Sequence, residues 1–144
     1  MLTQPELSPP VDESVLHDAL ARYWGYREFR PLQRAAIAAN LSGRDSVVVL
    51  PTGGGKSLIY QLPGALLPGT TLVVSPLIAL MHDQVSALEE RGVRATYLAG
   101  TLDPGELRRR MSSVAQGEYK LVYVAPERLA HSALRSMLAR LNCP

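Results

Sequence analysis

The chain has 144 residues and a mass of 15.7 kDa, one domain's worth by length and enough to bury roughly two-thirds of its unfolded surface. With 47% hydrophobic and 19% charged residues it is neither a disordered tail nor a coiled coil. A net charge of +2 is too mild to announce a nucleic-acid binder, but among the 15 basic residues only Lys56 and Lys120 are lysines, so each can be read individually.

The lone cysteine, Cys143, allows no disulfide and no multi-cysteine zinc site within these residues. The N-terminus has neither a basic start nor an apolar h-region, and no run approaches the ~18 apolar residues a membrane span needs, which points to a cytosolic, soluble protein. Residues 1–11 hold Pro5, Pro9 and Pro10 among polar residues and read as a disordered leader, with residues 12–144 as the folded part. Val15, Leu16, Ala19, Leu20 and Tyr23 then recur at helical spacing behind an Asp12 cap, and Gly25 stops that helix. A second helix is expected from Pro31, a favoured first-turn residue, to Asn40, with a turn at 42–45. Beyond it, β-branched runs at 46–50, 71–75, 95–98 and 120–125 alternate with stretches of helical period. Strand alternating with helix predicts an α/β fold, a doubly wound parallel sheet. The runs Val47-Val48-Val49 and Leu72-Val73-Val74 suit strands buried on both faces.

The first of these runs leads into Leu50-Pro51-Thr52-Gly53-Gly54-Gly55-Lys56-Ser57, with helical periodicity after it. Glycines let the backbone turn its N–H groups inward as a cradle for phosphate oxygens, and a helix N-terminus adds its dipole. Lys56 can neutralise the β and γ phosphates, and the Ser57 hydroxyl can ligate Mg²⁺. Leu50 stands where the strict pattern has Gly. A glycine turn with a solvated lysine is the bland alternative, but strand before, helix after and Gly-Lys-Ser together meet the contextual test for nucleoside triphosphate binding.

Four segments, 23–33 (from Tyr23-Trp24-Gly25 to Gln33), 50–57, 74–85 (opening Val74-Ser75-Pro76-Leu77) and 123–129 (Tyr123-Val124-Ala125-Pro126-Glu127-Arg128-Leu129), resemble successive motifs of the RecQ family of ATP-dependent DNA helicases, in family order. The resemblance covers about residues 15–144. It implies the N-terminal part of a RecA-like, P-loop motor domain preceded by a helical segment, and, for a bacterial protein, association with the nucleoid. It implies that Tyr26 stacks on adenine, that Gln33 hydrogen-bonds the adenine edge, and that Arg30 supports the nucleotide beside Thr52, Gly53, Gly54, Gly55, Lys56 and Ser57. An amide offers a donor and an acceptor together, which suits adenine N6 and N7; on residue type alone, Arg30 and Gln33 read as solvated. The resemblance also assigns Ser75, Pro76 and Leu77, Gly100 and Thr101, and Pro126, Glu127 and Arg128 to the backbone of single-stranded DNA. In physical terms Ser75-Pro76 and Ala125-Pro126 each end a strand and place proline at the first position of a helix, with Ser75 as N-cap, so free N–H groups face the carboxyl edge of the sheet. Any doubly wound fold also needs such turns.

Arg108-Arg109-Arg110 read as the solvated face of an amphipathic helix, Lys120 has no motif, and Trp24 and Phe29 read as packing residues. His17, His82 and His131 lack ligand spacing, and no zinc is expected in this segment. Hydrolysis of ATP needs an acidic Mg²⁺ ligand and a carboxylate that positions water; the family places both in an Asp-Glu-Ala-His sequence after an apolar strand. The only Asp-Glu pair here is Asp12-Glu13, ahead of the loop, and the chain stops about where the family begins that strand. The expectation is therefore an N-terminal helicase segment with ATP and Mg²⁺ as cofactors and single-stranded DNA as partner, unable to unwind alone. Two other classes remain open: a nucleotide- or DNA-binding module without turnover, and a small-molecule P-loop kinase.

Overall fold

The computed structural model describes residues 11–143, so the expected leader lies outside the described residues except for Val11, which packs on a core. The chain divides into two compact units, one ending at Leu66 and one beginning at Leu67.

In the first unit, helix α1 (Glu13–Ala19) is capped by Asp12, whose carboxylate accepts the Ser14 N–H at 2.9 Å and the Ser14 hydroxyl at 2.7 Å. Those bonds, the hydroxyl foremost, hold the Asp12 carboxyl below its ordinary pKa. A π-helical turn, Leu20–Trp24, follows and ends at Gly25 in the left-handed conformation, φ 71°. Helix α2 (Gln33–Leu41) begins two residues later than Pro31, because Leu32 takes φ 70° and a left-handed residue cannot lie inside a right-handed helix. Helix α3 (Lys56–Leu66) contains Pro63, which has no N–H to give the Ile59 carbonyl one turn back. Asn40 of α2 supplies the missing donor, its side-chain amide reaching Ile59 O at 3.1 Å. Leu16, Ala19, Leu20, Ile37, Leu58 and Leu62 form the core, and Tyr23, Trp24 and Phe29 pack against it.

The expected strand over 46–50 is not formed. A strand exists only as the hydrogen-bonded neighbour of another, and among the described residues no backbone ladder reaches this segment. Val47 and Val49 are consequently 95% and 85% exposed rather than buried on both faces.

The second unit carries the parallel sheet: β1 (Thr71–Val74), β2 (Ala95–Leu98) and β3 (Leu121–Val124), in the order β1-β3-β2. Helices α4 (Ile78–Glu90), α5 (Pro104–Ala115) and α6 (Ser132–Arg140) and a 3₁₀ turn (Pro126–Ala130) complete it. All four residues of central β3 are buried, as an apolar run without alternation requires. The β1 run is not buried on both faces as its sequence suggested, since β1 lies at the edge and Val74 is half exposed. Leu98, Val114, Val122, Val124, Leu134 and Met137 make this unit's core.

At the other edge, charged side chains finish the backbone bonding of β2. Glu89 accepts the Ala95 N–H at 2.8 Å, and Arg110 donates to the Tyr97 carbonyl at 3.1 Å. Arg110 also bonds Glu106 at 2.7 Å and stacks over the Tyr97 ring. The solvated-face reading of 108–110 therefore fails for Arg110, which is drawn in by an aromatic face and an edge carbonyl; Arg109 pairs with the same Glu106 but stays exposed. The guanidinium bond of Arg110 leads in keeping the Glu106 carboxyl below the usual range.

Candidate functional site

The glycine loop lies within the first unit. Its turn is closed by the Gly54 N–H on Pro51 O at 2.9 Å, and Gly53 and Gly55 both adopt φ 78°. A side chain at either flanking glycine would be strained. A Cβ on Gly54 would fall 2.9 Å from Pro51 O, so the loop is a cradle that only glycine fits.

Lys56 is the first residue of α3, exposed, and makes no ion pair or hydrogen bond among the described residues. There its charge opposes the positive end of the helix dipole, and α3 has no acidic residue in its first turn. A cation held at that end is an unpaired half of an anion site. Lys120, by contrast, is spent internally, its ammonium donating to Leu67 O at 3.0 Å. Ser57 follows Lys56 and offers a hydroxyl oxygen, the hard donor that suits Mg²⁺.

The residues expected to contact the nucleotide part company. Tyr26 is 55% exposed and its ring makes no stacking contact among the described residues, so its face is open. Arg30 turns to the loop and donates from Nη1 to Gly53 O. Gln33 is buried, 4% exposed; its Oε1 accepts the Arg30 N–H at 2.8 Å and its Nε2 donates to Gly55 O at 3.1 Å. The solvated state expected from residue type does not describe Gln33, whose amide bonds the Arg30 backbone and the loop. The signal missed in the sequence was Gly55, whose lack of a side chain admits the amide: a Cβ there would overlap Gln33 Nε2.

The residues expected at DNA all belong to the second unit. Because the strands are parallel, the segments after β1, β2 and β3 leave the sheet at one edge, with Val74, Leu98 and Val124 in register. Ser75, Pro76 and Leu77, Gly100 and Thr101, and Pro126, Glu127 and Arg128 therefore share the carboxyl edge. One detail differs from expectation. Helix α4 starts at Ile78 with Leu77 in the cap position, so Pro76 is not its first residue and Ser75 is not its N-cap. The backbone stays extended to Leu77, ψ 91°, and the Ser75 hydroxyl meets the Leu77 N–H at 3.4 Å. Pro126 does open its 3₁₀ turn. Gly100 is exposed with open space where a Cβ would lie, and Arg128 reaches the His131 ring at 3.4 Å. Asp12 and Glu13, the only Asp-Glu pair, are occupied in capping α1 and in an ion pair with Arg34. No cluster of three or more His, Cys, Asp or Glu suited to a metal occurs among the described residues.

A glycine turn before a helix that begins with lysine, and a parallel sheet with its turns on one edge, are parts of a P-loop α/β domain. The chain matches the DEAD/DEAH box helicase family over residues 30–143 and belongs to it. It is 43% identical over 134 residues to the ATP-dependent DNA helicase RecQ of Bacillus subtilis, covering 90% of this chain and 23% of that protein. To the ATP-dependent DNA helicase RecQ of Synechocystis it is 44% identical over 128 residues, covering 89% of this chain and 27% of that one. The chain thus spans about a quarter of the length of these curated relatives. Among solved structures, the DUF1998 helicase MrfA bound to DNA superposes with a TM-score of 0.69 at 25% identity, over 96% of this chain and 20% of that one. No helix among the described residues is long and apolar enough to cross a membrane.

Proposed function

We propose that this chain is the nucleotide-binding first part of an ATP-dependent DNA helicase of the RecQ kind, in which ATP binding is coupled to 3′ to 5′ movement along DNA. The observation that carries the reading is Lys56, an unpaired cation at the start of α3 beside two glycines at φ 78°. The similarity to RecQ helicases supplies the rest. In this reading Thr52, Gly53, Gly54, Gly55 and Lys56 receive the triphosphate, Ser57 gives one oxygen to Mg²⁺, and the open face of Tyr26 takes the adenine. A bound Mg²⁺ would neutralise charge between the β and γ phosphates. The carboxyl-edge turns, with Arg128, hold the phosphates of a single strand without reading its bases. The setting is cytoplasmic, at the nucleoid if the organism is bacterial.

Titration with ATP in the presence of Mg²⁺ tests the nucleotide site. Lys56→Ala should weaken binding by roughly tenfold or more, as loss of one charge-assisted phosphate contact does. An affinity unchanged by that substitution would refute the assignment. A second reading, binding without turnover by these 144 residues, is favoured by the engagement of Asp12 and Glu13 away from the loop. DNA-stimulated hydrolysis of ATP by this chain, lost on Lys56→Ala, would rule that second reading out.

A further inference from the structure

The outer edge of β2 is only half filled. The Leu121 N–H reaches Arg94 O and the Ala125 N–H reaches Leu98 O, both at 3.3 Å, so Arg94, Thr96 and Leu98 turn their backbone groups toward β3. Ala95 and Tyr97 therefore turn theirs outward. Two of those four outward groups are met by side chains: Glu89 Oε1 accepts the Ala95 N–H at 2.8 Å, and Arg110 Nη1 donates to Tyr97 O at 3.1 Å. The two that lie between them, Ala95 O and the Tyr97 N–H, have no partner among the described residues. They face a groove of about 360 Å³ lined by residues of α4, β2 and α5, all in the second unit, and of a size that admits a small ligand.

An acceptor and a donor on either side of one strand residue are satisfied by a single α-amino acid unit, which gives its N–H to the first and its carbonyl oxygen to the second, as in a parallel bridge. A longer strand cannot continue the pairing, because the Glu89 carboxylate and the Arg110 guanidinium occupy the flanking positions. The same two groups set the charge. Glu89, next to Ala95 O, keeps Oε2 without a partner among the described residues. Arg110, next to the Tyr97 N–H, spends Nε on Glu106 and Nη1 on Tyr97 O, which leaves Nη2, and its stacking on the Tyr97 ring holds it in place. An anion thus stands at the end that receives an amine, and a cation at the end that receives a carboxyl. We propose that this groove binds a free α-amino acid as its zwitterion, the ammonium between Ala95 O and Glu89, the carboxylate between the Tyr97 N–H and Arg110. The glycine loop takes no part in it.

The test titrates each of the twenty protein amino acids into the ¹⁵N-labelled chain and follows the Tyr97 amide by NMR. At least one should shift that amide and saturate with a Kd of about 1 mM or below. For that amino acid, acetylating the amine or amidating the carboxyl should each weaken binding roughly tenfold, the loss of one charge-assisted contact. Glu89→Gln keeps an acceptor for the Ala95 N–H but sets an amide nitrogen toward the ammonium, so it should weaken the free amino acid by a similar factor and leave the acetylated one unchanged. The two derivatives are read on the wild-type chain and carry the test alone if Glu89→Gln does not fold. No shift at Tyr97 with any amino acid would overturn the proposal. So would an acetylated derivative that binds as tightly as the free amino acid, which would point instead to the carboxyl end of a peptide chain.

Discussion

The two units finish their backbone hydrogen bonding by different chemistry. In the first, carbonyls stranded by proline or by glycine turns are met mainly by uncharged amides: Asn40 on Ile59 O and Gln33 on Gly55 O. In the second, the exposed edge of β2 is met by ions, Glu89 on the Ala95 N–H and Arg110 on the Tyr97 carbonyl, with Glu106 holding Arg110 in place. Buried amides keep their bonds at any pH and salt concentration. Ionic partners at an edge also discourage another strand from pairing there, but they depend on protonation and screening. The amide contacts of the first unit should therefore respond to substitution and little to solution conditions, whereas the ionic contacts at the β2 edge should respond to both.

The largest effect expected is on the amide side of that contrast. Asn40→Leu removes the side-chain donor to Ile59 O, which Pro63 cannot replace. Leaving a part-buried carbonyl unpaired should cost about 2 kcal/mol. Equilibrium unfolding in urea at two salt concentrations reads both points: a large loss is expected, equal at low and high salt. If the loss shrinks with salt, or is absent, the amide is not what completes the helix.

The ionic side predicts a smaller, conditional effect. The Glu106 carboxyl sits below its ordinary range in the folded chain, so its contribution is fully present above the unfolded value of about 4.3 and is lost as pH falls through the depressed folded value. Glu106→Gln should lower Tm at pH 7, and the difference from wild type should close as pH falls below about 4. Added salt at pH 7 should narrow it too, since Arg109 at least is exposed. A Tm difference that persists unchanged into acid would mean that the side chain acts by packing and not by charge.

Much of this was legible in the sequence where the cause is local. The glycines of the loop, the stop at Gly25 and the Asp12 cap all follow from residues acting on near neighbours. Failures came where the partner is distant. The valine run at 46–50 has the composition of a strand, but strand formation is decided by what lies alongside, and composition carries no information about that. Arg110 looked like its neighbours until the fold placed Tyr97 and its carbonyl within reach. Gln33 reads as solvated by residue type, and only the fold shows Gly55 beside its amide.

Leu32 holds the turn between Arg30 and Gln33 through the backbone. It is the only non-glycine residue with positive φ among the described residues, it is 62% exposed, and it sits between the two residues that grip the loop. A left-handed leucine costs roughly 1 kcal/mol or more, which is relieved by glycine and only partly returned by glycine's greater freedom when unfolded. Since little side-chain burial is lost, Leu32→Gly should leave Tm unchanged or raise it by about 2 °C. Leu32→Ile, which adds β-branching at the same φ, should lower it by a similar amount. If glycine destabilises as it does inside a helix, Leu32 is continuing α2 and Gln33 is no longer its start. The turn that brings Arg30 and Gln33 together under the loop would then have to be drawn differently.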